Sequence, residues 1–163
     1  MKVLVTGAGG FVGKNICKKL DDLGHEVVVL STNMAIAAIN LTNKYKFYSW
    51  DIKKLPPKEA FEGIAGIIHL AGDNIAGGYW TNNKKKRIYD SRIDGTESIC
   101  AGIKEYKPEL KAFVSTSAIG IYGNHPTGEV TEECTDLGDD FLANVCKHWE
   151  AKVWEYTDCL PRT

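Results

Sequence analysis

The run Thr6-Gly7-Ala8-Gly9-Gly10-Phe11-Val12-Gly13 is where residue types and spacing most directly imply chemistry. Gly7, Gly10 and Gly13 form a GxxGxxG pattern between an apolar, β-branched segment and an amphipathic one. Each glycine has a physical task in such a turn. Gly7 permits a tight strand-to-helix reversal, Gly10 puts no side chain in the way of a phosphate, and Gly13 lets the helix pack close to the sheet. Main-chain N–H groups at the positive end of the helix then hold an anionic diphosphate. A mononucleotide P-loop competes, because Gly13-Lys14 resembles its Gly-Lys pair. It fails twice: residue 8 is alanine where the first glycine belongs, and Asn15 replaces the Ser or Thr that holds magnesium. The pattern therefore points to a dinucleotide.

The end of the second apolar run chooses between dinucleotides. A carboxylate there accepts hydrogen bonds from the adenosine ribose of NAD. This sequence has Ser31, Thr32 and Asn33 instead, so a 2′-phosphate meets no repulsion and can take hydroxyl hydrogen bonds. That leans towards NADP over NAD, although no arginine adjoins these residues. Asp51-Ile52, after the third apolar run, is placed either to meet an adenine ring or to make a plain strand-end turn.

Other reactive residues are dispersed. The cysteines, at 17, 100, 134, 146 and 159, form neither a CxxC pair nor a cluster with histidine, so no metal site and no disulfide framework is expected. Free thiols imply a reducing compartment, hence the cytoplasm. His25, His69, His125 and His148 are scattered, and His69 falls where a buried strand needs a hydrogen-bonded core residue. Serine hydrolase chemistry lacks its GxSxG elbow. The basic run Lys84-Lys85-Lys86-Arg87 reads as a solvated helix turn.

The elements that position these residues alternate in type. Strands are expected over 2–6, 26–30, 46–50, 64–70 and 112–115, the third nearer a sheet edge because it is less apolar. Val12, Ile16, Leu20 and Leu23 mark one face of the first helix, with Gly24 at its C-terminal cap. Further helices are expected over 34–43, briefly over 56–61, over 81–106 up to Pro108, and from a cap at Asp139 or Asp140. On the last, Leu142, Val145, Trp149, Val153 and Tyr156 share a face. Alternation of this kind gives an α/β fold: a doubly wound parallel sheet with helices on both faces.

Several stretches together resemble one family, the extended short-chain dehydrogenase/reductases. They are the opening glycine loop, His69-Leu70-Ala71-Gly72, Gly95-Thr96 and Ser115-Thr116-Ser117. Leu70 to Thr81 followed by Asp90-Ser91-Arg92, Ser117 to Gly123, and Gly138 to Ala143 with Cys146 and Trp149-Glu150 are similar to its NAD-dependent epimerase-like, or sugar-nucleotide epimerase, subgroup. The resemblance implies one Rossmann-type NAD(P)-binding domain over 1–163, the N-terminal part of a longer fold whose sixth strand and smaller substrate region follow. It implies reversible hydride transfer on a nucleotide-sugar or small carbonyl or hydroxyl substrate, by an epimerase (an isomerase) or a reductase (an oxidoreductase). Carried over by position, Gly7, Gly10, Phe11, Val12 and Gly13 form the pyrophosphate loop. Leu70, Ala71, Gly72 and Ser115 lie along the cofactor, Asp73 stands at the cleft mouth, and Ser117 holds the reacting oxygen.

One departure weakens the catalytic expectation. The family's acid/base pair is Tyr and Lys four residues apart, whereas this helix offers Phe141 with Val145 or Leu142 with Cys146. Arg92 stands where the family has asparagine. Tyr122 is the phenol left near Ser117, either as a substitute acid or as a ring packed over the loop. A dinucleotide-binding sensor or partner-binding module without catalysis is the alternative.

Composition adds exclusions. The 163 residues hold 20 Lys and Arg against 21 Asp and Glu, a net charge of −1, so no basic face for nucleic acid is expected. No apolar run approaches the roughly 18 residues that span a bilayer, and the N-terminus lacks the design of a signal peptide. An unpaired fifth strand would leave a sheet edge exposed, so self-association into a homo-oligomer is expected.

Overall fold

Val3, Leu4, Val5 and Thr6 are all buried, because the strand they form is covered on both faces and flanked on both edges. The computed structural model describes residues 1–41, 45–124 and 128–161; His125 and residues 42 and 43 of the expected second helix lie outside them. The strands are β1 (Lys2–Thr6), β2 (Glu26–Ser31), β3 (Lys46–Ser49), β4 (Gly66–His69) and β5 (Ala112–Ser115). They form one sheet in the order β3-β2-β1-β4-β5, with every pairing parallel. Between them run α1 (Phe11–Asp22), α2 (Met34–Asn40) and α3 (Asn82–Tyr106), and α4 (Phe141–Trp154) follows β5. Single 3₁₀ turns occur at 58–60, 119–122 and 157–159.

The pleat sends alternate side chains to opposite faces, and two cores result. Leu4, Val28, Leu30, Ile67 and Phe113 meet Ile99, Cys100 and Ile103 of α3, with Trp50, Phe61 and Ile64 between them. On the other face Val3, Val5, Val27 and Val29 meet Cys17 of α1 and Ala37 of α2. Each fully buried Ile or Leu contributes about 2 kcal/mol. The fold is thus held by these cores without crosslinks; all five cysteines are free thiols.

Several boundaries differ from expectation, each for a local reason. The second helix stops at Asn40, whose side-chain amide donates to the Gly9 carbonyl at 2.9 Å and ties the helix end to the glycine loop. β4 begins at Gly66 rather than residue 64, because Ile64 closes the preceding turn through its N–H to the Phe61 carbonyl and fills the core. Trp50 lies past β3 and donates its indole N–H to Ser98 Oγ at 2.9 Å. α4 ends at Trp154, so Tyr156 falls beyond it and hydrogen-bonds Glu97 of α3. The basic run is not simply solvated. Lys84 is buried, with its ammonium on Asp73 and on the Asn74 carbonyl.

Candidate functional site

At the C-terminal ends of β1, β2 and β4 the chain encloses a cleft of about 720 Å³. Such a cleft belongs at the switch point, where strand order runs outward from β1 in both directions. Of the glycine loop, Gly7 lines it, while Gly10, Phe11, Val12 and Gly13 lie outside its lining. Gly7 has φ +66°, and a Cβ there would stand 2.7 Å from the Leu70 carbonyl oxygen. A Cβ on Gly13 would stand 2.3 Å from the Gly7 carbonyl oxygen. The third glycine therefore admits the loop's own first turn against the helix, rather than the sheet. Gly10 is the N-cap of α1; it offers no side-chain cap, and no acidic residue occupies the first turn. A Cβ there would meet only the Gly7 carbonyl oxygen, at 3.3 Å. The first N–H groups of α1 thus face outward with no competing side chain, the condition a diphosphate requires. Phe11 and Val12 are exposed at this rim.

A buried polar network fixes the strand tips beside the loop. Thr6 Oγ1 accepts from the N–H of Leu70 and of Ala71, both at 3.1 Å. With its acceptor positions filled, the hydroxyl donates its proton to His69 Nδ1 at 2.8 Å. The His69 proton therefore sits on Nε2, which donates to Thr96 Oγ1 at 3.1 Å. Trp149 Nε1–H donates to the same oxygen at 2.9 Å, drawing in α4. Burial pushes His69 down to about 4, so the ring is neutral. This fits the expected structural role of His69.

The cleft brings together Gly7, Ser31, Thr32, Asp51, Ile52, Ala71, Gly72 and Asp73. Sequence reasoning missed its other wall, Lys53 from the turn after β3 and Arg87, Asp90 and Ser91 from α3. The basic run was the available signal for Arg87, and it read as a surface feature. Asp73 is not free to reach a ligand: Lys84 Nζ lies 3.1 Å and Arg87 Nε 3.2 Å from its Oδ2. Burial raises this carboxyl, but the two cations outweigh that and hold it below its usual range. The Ser31 hydroxyl is also engaged, donating to the Asn33 carbonyl at 3.0 Å and accepting the Asn33 N–H at 3.1 Å. Asp51 is exposed and held low, first by the Lys53 N–H and then by Lys54.

The expected catalytic residues lie elsewhere. Ser117 and Tyr122 line a second hollow of about 730 Å³ with Glu150. Ser117 and Ser115 also line an apolar cavity of about 610 Å³ along β5 and α4. Ser115 Oγ is buried there without a hydrogen-bond partner. Gly123 and Gly138 bring the two ends of the intervening loop into backbone contact; a Cβ on Gly138 would stand 2.4 Å from the Gly123 Cα. Neither register of α4 supplies a Tyr–Lys pair. Phe141 packs edge-on against Trp80 at 5.9 Å, while Cys146 is buried and its thiol raised by burial. Arg92 fills the space between them and the cleft. Its guanidinium lies 5.2 Å from the Trp149 ring and donates to the Asp73 and Ile88 carbonyls. Burial pushes Cys17 up to about 11 and Cys100 up to about 12, so neither is a thiolate nucleophile.

Comparison with known proteins agrees with this geometry. Residues 3–144 match the family described as NAD dependent epimerase/dehydratase. Epimerase family protein YfhF of Bacillus subtilis is 31% identical over 150 residues, covering 92% of this chain and 48% of the relative. The crystal structure of human epimerase family protein SDR39U1 with NADPH superposes with a TM-score of 0.74 at 28% identity, covering 93% of this chain and 48% of that one. UDP-glucuronic acid 4-epimerase from Bacillus cereus, solved with UDP-glucuronic acid and NAD, gives a TM-score of 0.79 at 22% identity, a likeness of fold. It covers 98% of this chain and 53% of that one. The chain thus spans about half the length of the curated relatives it matches.

Proposed function

Because this chain belongs to the NAD-dependent epimerase/dehydratase family, we propose that it holds a nicotinamide dinucleotide for reversible hydride transfer on a nucleotide-sugar or small carbonyl or hydroxyl substrate. The observation that carries the reading is the N-terminus of α1, which has no side-chain cap and follows the loop whose Gly7 lines the cleft between β1, β2 and β4. The residues fit the group. Main-chain N–H groups of residues 11–13 take the diphosphate, since the Gly10 N–H is spent on the Gly7 carbonyl; Asp51 and Ile52 flank the adenine, and Leu70, Ala71 and Gly72 pass beside the nicotinamide ribose. Bound there, the nicotinamide supplies a hydride donor or acceptor. Ser117 is assigned to orient the reacting oxygen, with Tyr122 as the nearby phenol. In an epimerase the hydride taken from the substrate returns to its opposite face and the cofactor ends as it began; in a reductase the hydride passes one way and the cofactor is consumed.

The test is calorimetric titration with NADPH and NADH. Binding of at least one is expected, and Gly10→Leu is expected to abolish it while circular dichroism shows the helix content kept. Failure of both nucleotides to bind the unaltered protein would sink the reading. A second reading, binding without catalysis, is favoured by the absence of a Tyr–Lys pair on α4. Nicotinamide turnover that is lost in Ser117→Ala supports the enzyme; unchanged turnover removes Ser117 from the chemistry.

A further inference from the structure

We propose that Arg87 makes the cleft selective for a 2′-phosphorylated dinucleotide. The inference rests on the dinucleotide reading above. At the end of β2 the sequence places hydroxyls and no carboxylate, which removes repulsion but adds no positive charge. The structure takes away one of those hydroxyls, since Ser31 spends its donor on the Asn33 carbonyl. Thr32 is then the remaining neutral donor of the pair. A single neutral hydroxyl cannot offset the loss of water around a phosphate dianion, so selectivity needs a cation in the same cleft.

Two cations are present, and both are surplus. The cleft's acids are Asp51, Asp73 and Asp90. Each already has its own lysine outside the lining: Lys54 at 3.4 Å, Lys84 at 3.1 Å and Lys86 at 2.6 Å. Lys53 has no carboxylate within ion-pair distance among the described residues. Arg87 shares Asp73 with the buried Lys84 and uses only Nε to do so, at 3.2 Å. Its two terminal nitrogens therefore stay unengaged, and the Nε bond orients the guanidinium. That is the geometry in which an arginine presents a two-pronged donor to phosphate. Asp73 stands between two cations, Lys84 and Arg87, so one carboxylate cannot compensate both charges. Ser31, Thr32, Lys53 and Arg87 all line this one cleft. The arginine absent beside β2 is thus supplied by α3, from across the opening.

The experiment titrates NADPH and NADH separately into the unaltered protein, Arg87→Gln, Arg87→Lys and Lys53→Gln, each at low and high salt, with melting curves to confirm folding. Arg87→Gln is expected to weaken NADPH by about tenfold or more while NADH stays within about twofold. The steep salt dependence of NADPH binding should fall towards that of NADH. Arg87→Lys, which keeps the charge and loses the fork, should lie between; Lys53→Gln should cost NADPH less than Arg87→Gln. Equal weakening of both nucleotides would mean that Arg87 merely holds Asp73 and would overturn the proposal, as would an Arg87→Gln protein with undiminished NADPH affinity. If neither nucleotide binds the unaltered protein, the dinucleotide reading itself fails; NADH binding with no preference for NADPH leaves that reading intact and removes Arg87's role.

Discussion

His69 illustrates how much a single buried proton decides. Its ring joins β1, β4, α3 and α4 through Thr6, Thr96 and Trp149, and the network works only with Nδ1 bare and Nε2 protonated. A second proton would leave Thr6 donating to a donor. Above pH 6.5 neither the folded nor the unfolded chain charges this ring, so it costs nothing. Below that the unfolded ring gains a proton that the folded one refuses until about pH 4. Stability is therefore expected to fall between pH 6.5 and about 4, by about 3 kcal/mol from this residue. Urea midpoints at pH 7, 5.5 and 4.5 measure it. His69→Gln should be less stable at pH 7 yet flatter across that interval, and an equally steep variant would show that other groups set the slope. The burial of His69 was legible from its place in an apolar run. Its tautomer was not, because that depends on where Leu70, Ala71 and Trp149 point their N–H groups. Gly13 taught a similar lesson: its need for a bare Cα was legible, but the atom that forbids a side chain is the loop's own carbonyl at Gly7.

Among the elements, α4 shows most plainly what a cap and one face accomplish. Asp140 is its N-cap, and its carboxylate accepts the Ala143 N–H at 2.9 Å. From there Ala143, Val145, Cys146 and Trp149 are buried where α4 packs on α3, and Trp149 donates to Thr96 of that helix. Lys152 in the last turn and Tyr156 just beyond it both reach Glu97, which lashes the end of α4 to α3. Asp140→Ala is expected to lower stability by about 1 kcal/mol, readable as a lower urea midpoint; no change would mean that the tertiary contacts alone hold the helix start. The cap and the missing Tyr–Lys pair could be read along the chain, because each is a local pattern; of the expected apolar face Val145 and Trp149 are buried, joined by Ala143 and Cys146 rather than Leu142 and Val153. The place of Arg87 and Thr32 in one cleft could not be read that way. Those residues are joined by the crossover from β2 through β3 and β4 to α3, and spacing along the chain carries no trace of the cleft they share. The edge position of β3, by contrast, followed from its polar composition, since a strand with a solvated side does not need a continuous apolar run.

For the molecule as a whole, the two faces of the sheet are unequally covered. β5 has β4 on one side only, and its Val114 is 49% exposed beside the 67% exposed Trp154. The cavity they line is mostly apolar and reaches Leu160 and Pro161. Unpaired backbone groups next to apolar side chains invite another strand. This chain by itself is expected to associate with a second copy through that edge, seen as a mass in light scattering that rises with concentration. Val114→Lys should suppress the rise; a monomer at every concentration would count against an edge that seeks a partner. No helix among the described residues is long and apolar enough to cross a membrane. The excursion between Gly123 and Gly138 leaves and rejoins the body at a neck where the two glycines touch and the Gly138 N–H donates to the Ile121 carbonyl. Pinned at that neck, Val130, Thr131 and Glu132 form a wall of the hollow that holds Ser117, Tyr122 and Glu150, so changes among these three reshape that hollow while the two ends of the excursion stay fixed.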